Sequence, residues 1–207
     1  MTRETTRFHL IRHALVAEAA RAVLYGTIDV PLCPDRLETD QAFHAALARR
    51  LPQPAHWVVT PLSRTRHTAD ALFRAGYPAR PLHVESGLSE QELGEWQGIA
   101  HADFAAHLAQ PAHPFWPIAG DERPPGGESI EDVIARVGPT LERLAHEHRG
   151  GDVVAISHGG AIRACVAYAA GLSGQQALHF AVQNLSLTML ERSAEGWRVI
   201  GVNEMLG

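Results

Sequence analysis

Lysine is absent from the chain: all 18 basic residues are arginine. That excludes Schiff-base chemistry on lysine and the lysine clamp found in many phosphate sites. Arginine-only usage is what codon bias alone would give, yet it also suits phosphate, because the planar guanidinium fork matches a pair of phosphate oxygens. Cysteine is scarce as well. Cys33 and Cys165 stand far apart, without C-x-x-C or metal-type spacing, so reduced thiols are expected rather than a disulfide framework or redox site. No apolar run approaches the roughly 20 residues of a membrane-spanning helix. The polar start Met1-Thr2-Arg3-Glu4-Thr5 does not read as a secretory signal, which makes the cytoplasm the expected compartment. A net charge of -5 and the lack of any long basic run argue against a general grip on nucleic acid or an anionic membrane.

What is present is enough apolar material, 45% of 207 residues, to fill one sizeable core, so a single domain over 1–207 is expected. Arg7 to Arg12, Trp57 to Val59 and Asp152 to Ser157 read as buried strands. Stretches at about 36–51, 63–75, 129–148 and 159–170 carry apolar residues three to four apart and read as helices. The alternation predicts a layered α/β fold. Ser186 to Glu191 and Trp197 to Val202 flank the turn-rich Ser193-Ala194-Glu195-Gly196, a hairpin signal. The sheet should therefore be mixed, mostly parallel with an antiparallel edge. Residues 110–127 hold Pro111, Pro114, Pro117, Pro124 and Pro125, and a lid inserted over the site at about 99–127 is expected.

In open α/β sheets ligands gather where parallel strands end and helix N-termini converge. The first strand ends in Leu10-Ile11-Arg12-His13, and a later one in Ile156-Ser157-His158-Gly159-Gly160. Between them Thr60-Pro61-Leu62-Ser63-Arg64-Thr65-Arg66 marks another strand-to-helix junction. Two histidines and two arginines at such junctions are what phosphoryl transfer through a histidine requires. The arginines neutralise phosphate oxygens while a neutral imidazole attacks phosphorus in line with the leaving oxygen. Gly159 and Gly160 would let backbone approach the phosphate closely. Singly each element is weak; their order along the chain carries the reading.

These motifs resemble the histidine phosphatase (phosphoglycerate mutase-like) superfamily. Leu10-Ile11-Arg12-His13 is similar to its Leu-x-Arg-His-Gly, with Ala14 for the usual glycine, and implies His13 as nucleophile and Arg12 as phosphate ligand. Thr60-Pro61-Leu62-Ser63-Arg64-Thr65-Arg66-His67-Thr68-Ala69 resembles Ser-Pro-Leu-x-Arg-Ala-x-x-Thr-Ala and implies Arg64 as the second phosphate arginine. The intact Ser157-His158-Gly159-Gly160 implies His158 as the second pocket histidine, with Gly159 at the phosphate. Leu88-Ser89-Glu90-Gln91-Glu92-Leu93-Gly94-Glu95-Trp96-Gln97-Gly98 is similar to Leu-x-Glu-x-x-x-Gly-x-Trp-x-Gly, whose first glutamate is the general acid, and implies Glu90. By composition alone Glu92, Glu95 and Glu128 compete; each reads better as a solvated charge or helix cap, Glu128 at a helix start in particular. The resemblance implies a three-layer sandwich, a mixed sheet flanked by helices.

Thirteen histidines invite a metal reading, but His67, His101, His107 and His113 show neither H-E-x-x-H nor a Cys-His pattern, and no metal or cofactor is expected. Arg66 stays ambiguous, as does Arg163, one helical turn beyond the His158 loop. Between hydrolysis and isomerisation, no arginine lies between Arg80 and Arg123 to hold a second anionic group, and Ala14-Leu15-Val16-Ala17-Glu18-Ala19 lacks the polar residues that follow the mutase histidine. Phe104, Phe115 and Trp116 either suit an apolar leaving group or simply pack the loop. The expected activity is metal-independent hydrolysis of a small phosphomonoester, such as an α-ribazole phosphate-like compound or a sugar phosphate. Mutase activity, an inactive phosphate-ligand sensor and action on phosphoproteins are the alternatives. The expected partner is a small phosphorylated substrate, with neither nucleic acid nor membrane, and a homodimer stays open.

Overall fold

The computed structural model describes residues 4–206; Met1, Thr2 and Arg3 of the polar start, and Gly207, lie outside the described residues. Its elements in chain order are β1 (Thr6–Arg12), α1 (Glu18–Arg21), α2 (Pro34–Thr39), α3 (Gln41–Arg50), β2 (His56–Val59), α4 (Ser63–Arg74), β3 (Leu82–Val84), α5 (Ile130–Glu147), β4 (Asp152–Ser157), α6 (Gly159–Ala170), α7 (Gly174–Ala177), β5 (Leu187–Ser193) and β6 (Gly196–Glu204). The six strands form one sheet in the order β3-β2-β4-β1-β5-β6. β3, β2, β4 and β1 run parallel to one another, while β5 pairs antiparallel with both β1 and β6, the latter pair forming the expected hairpin.

The period-two alternation of strand side chains divides the core into two layers. Phe8, Leu10, Val153 and Ala155 face α5 and α6, packing on Val133, Val137, Leu141 and Ile162. Ile11, Val154, Ile156, Trp57 and Val59 face the other way, onto Leu47, Ala69, Leu72 and Tyr77. Strands apolar on both faces must be covered on both faces, and the result is a three-layer α/β sandwich.

Two local details differ from the sequence reading. The helix expected over 36–51 is two helices broken at Asp40, whose side chain pairs with Arg36 instead of continuing the turn. The start of α5 is capped by Ser129, which exchanges hydrogen bonds with Asp132 in a capping box, so the cap expected of Glu128 is supplied by its neighbours. No helix among the described residues is long and apolar enough to cross a membrane. Both cysteines are free, and burial pushes the Cys165 thiol up to about 12, leaving it inert at neutral pH.

Candidate active site

Strand register brings the motifs together. β1 and β4 pair with Arg12 opposite Ser157, and β2 and β4 pair with Val59 opposite Ile156. The next residues, His13, Thr60 and His158, therefore emerge side by side at the carboxyl edge of the sheet. The two imidazoles lie 5.2 Å apart between ring centroids, edge to face, and both are buried.

Their hydrogen bonds fix the tautomers. His13 Nδ1 is 2.8 Å from the carbonyl of Ala14, which only accepts, so Nδ1 carries the proton and Nε2 keeps its lone pair. His158 Nδ1 accepts from Arg64 Nε at 3.3 Å, so its proton sits on Nε2 and is donated to Thr60 Oγ1 at 2.9 Å. Burial, and then Arg64 and Arg12, hold His13 well below the usual imidazole range. Burial, then His13 and the same arginines, do so for His158. Both rings are neutral at pH 7, as a nucleophilic imidazole requires.

Arg64 is fully buried at the start of α4 and is locked in place by donating from Nη2 to Gly26 O and from Nη1 to Ile28 O, each at 2.8 Å. Arg12 Nη1 donates to Val182 O at 2.7 Å, while its buried Nε has no protein partner. A buried charged donor without a partner is costly, and it makes this a position suited to an anion.

Glu90 reaches the N-terminus of α6, where its carboxylate accepts from Gly160 N at 3.3 Å and Ala161 N at 3.2 Å. These amides and the helix dipole make an anion site, which the carboxylate occupies in this state. Gly159 backs onto Arg12: a β-carbon there would lie 3.1 Å from Arg163 Nη1 and 3.4 Å from Arg12 Cζ. Thus the six residues expected from the sequence lie together at the carboxyl edge of the sheet, and Arg12 and Glu90 line one cavity there.

The rival carboxylates have other tasks. Glu92 accepts from Thr27 Oγ1 and Gly94 N, Glu95 is exposed, and Glu128 pairs with Arg136 and accepts from Glu92 N. His67, His101 and His107 are exposed, whereas His113 is buried against His179. Ala14, which stands for the usual glycine, belongs to the apolar layer with Ile11 and Val16.

Several contributors escaped the sequence reading. Arg136 donates to the carbonyls of Gly87, Ser89 and Glu90, fixing the loop that carries Glu90. Asn184 Nδ2 donates to His13 O at 2.8 Å, and Thr68 Oγ1 accepts from Ala14 N at 3.0 Å, so the peptide that follows His13 is held at both ends. Only Thr60 and Thr68 lie within a motif where a hydroxyl could have been flagged.

Residues 8–205 match the family model of the histidine phosphatase superfamily (branch 1). The chain belongs to this superfamily. A glucosyl-3-phosphoglycerate phosphatase of Mycolicibacterium vanbaalenii is 33% identical over 174 residues, covering 80% of this chain and 75% of that protein. A 2,3-bisphosphoglycerate-dependent phosphoglycerate mutase of a Methylobacterium species is 31% identical over 147 residues, 68% of this chain and 71% of its own. Among solved structures, a mycobacterial glucosyl-3-phosphoglycerate phosphatase superposes with a TM-score of 0.80 at 30% identity, covering 97% of this chain and 99% of that one. In this member of the superfamily, the motif residues lie where the three parallel strand ends meet.

Proposed function

We propose that the protein hydrolyses small phosphomonoesters through a phosphohistidine on His13. The observation that carries this reading is the buried pair of neutral imidazoles flanked by Arg12 and Arg64, with His13 held by Ala14 O so that Nε2 is the free nucleophile. Nε2 attacks phosphorus, the P–Nε2 bond forms, and the P–O bond to the alcohol breaks in line with it. Arg12 and Arg64 balance charge on the three peripheral oxygens. Glu90 stays beside the start of α6, takes up a proton from solvent as the phosphate dianion arrives, and gives it to the leaving oxygen. In the second half Glu90 accepts a proton from water as that water attacks phosphorus, the P–Nε2 bond breaks, and inorganic phosphate leaves.

Hydrolysis is favoured over mutase chemistry by the cavity beside Glu90. Of the residues that line it, only Arg12 and Arg21 carry fixed positive charge, and Arg21 is exposed, so a substrate with a second anionic group finds little to hold it. The segment 99–127 contributes His101, Trp116, Pro117 and Ile118 to that cavity and acts as its lid within one histidine phosphatase domain. Phosphate release from p-nitrophenyl phosphate with chelator present tests the reading. Wild type is expected to turn over and His13→Ala to lose activity; equal rates in both would remove His13 as nucleophile.

A further inference from the structure

The cavity beside the phosphoryl site has a volume of about 260 Å³ and opens onto Arg12 and Glu90. Its walls are Leu24, Tyr25, Leu93, Trp116 and Ile118. Both aromatic rings are tied to the site by arginines. The Arg64 guanidinium carbon lies 5.3 Å from the Tyr25 ring centroid, and that of Arg163 lies 4.3 Å from the Trp116 centroid. Arg163 is itself buried beside Gly159 and anchored by donating from Nε to Phe180 O at 2.8 Å. Each ring is thereby in contact with an arginine that reaches toward the His13–His158 pair or its Gly159 neighbour.

Two polar groups on the wall are already engaged. Gly26 O accepts from Arg64, and Gln91 Nε2 donates to Glu128 O at 2.7 Å. Arg21 and His101 are exposed, and Arg12 and Glu90 belong to the phosphoryl side of the cavity. Leu24, Leu93 and Ile118 offer the hydroxyls of a polyol no partner, whereas an apolar ring meets carbon there and gains two aromatic neighbours.

We propose that this cavity is a leaving-group subsite for the apolar, ring-bearing alcohol of a phosphomonoester, held between Tyr25 and Trp116. The proposal rests on the phosphatase reading above and narrows its substrate class. Arg163, through Trp116, is a positioning residue for that subsite.

The test compares ethyl phosphate, 2-phenylethyl phosphate and glucose 6-phosphate, all esters of primary alcohols, so that leaving-group chemistry is matched. In the wild type kcat/KM for the phenylethyl ester should exceed both others by about tenfold or more. Trp116→Leu, which stays apolar but loses the ring, and Tyr25→Ala should each shrink the phenylethyl-to-ethyl ratio. Glucose 6-phosphate as the better substrate, or ratios unmoved in both variants, would overturn the subsite. Calorimetry with the non-hydrolysable 2-phenylethylphosphonate and ethylphosphonate separates this from the reaction itself. A wild type inert toward every ester but preferring the phenylethyl phosphonate would sink hydrolysis and keep the subsite; equal affinity for the two phosphonates would sink the subsite.

Discussion

Glu90 Oε1 stands 2.5 Å from where a β-carbon on Gly160 would sit. The glycine is not there for backbone freedom, since Gly160 is an ordinary helical residue outside the left-handed region. It is there because the carboxylate must lie against the start of α6. Gly160→Ala should push Glu90 off the amides while costing little stability, because the displaced atoms are the end of a flexible side chain and alanine is the better helix former by about 1 kcal/mol. A fall in kcat of about a hundredfold, with a thermal midpoint near that of the wild type, is expected from steady-state kinetics and calorimetry. Unchanged kcat would show that Glu90 has no need of this position.

Arg136 should matter for a related reason. It is mid-helix in α5, far from the phosphoryl group in sequence, yet it ties down three carbonyls of the loop bearing Glu90 and pairs with Glu128. Arg136→Met is expected to destabilise the fold by about 1–3 kcal/mol. Urea unfolding reads that loss. The same variant should lower kcat more than it raises KM, because Glu90, the proposed general acid, is set loose while Arg12 and Arg64 stay in place; the reverse split would assign Arg136 to substrate binding.

Stability should fall on mild acidification. His9, His13, His44, His56, His148 and His158 are all held below 6.5, burial being the largest cause for each, and His56 is brought down to about 4. Below 6.5 the unfolded chain binds protons that the folded chain refuses, so unfolding is favoured as pH drops. The histidine contribution is complete above 6.5 and is lost progressively below it, for His56 down to about 4. Each such group adds a slope of up to about 1.4 kcal/mol per pH unit within its window. Urea midpoints at pH 7.5, 6 and 5 should therefore decline steadily. A midpoint flat over that range would contradict the neutral, buried state assigned to these rings.

The layered fold was legible because β1, β2 and β4 are short apolar runs that end in histidine, threonine and histidine, and because α5 and α6 keep a clear helical period. β3 was not: Leu82-His83-Val84 is a three-residue edge strand, half-exposed, and exists only because β2 lies beside it. The break at Asp40 was hidden for a similar reason, since an aspartate with an arginine four residues earlier looks like ordinary helix surface. Within the site, His13, His158, Arg12, Arg64 and Glu90 carried motif signals. Arg136 and Asn184 did not, because their partners lie tens of residues away and single polar residues in a helix or loop read as solvated. The same holds for Arg163 beneath Trp116, a contact across 47 residues that no local pattern shows.

The most direct test of the central claim is to mix enzyme with an excess of a reactive phosphomonoester, stop the reaction within a turnover in alkaline denaturant, where phosphohistidine survives, and map the phosphoryl group by mass spectrometry. The account predicts a transient adduct on the peptide that carries His13, forming at least as fast as steady-state turnover and absent in His13→Ala. An adduct on another residue, or turnover of the ester with no adduct on His13 at any time, would contradict it.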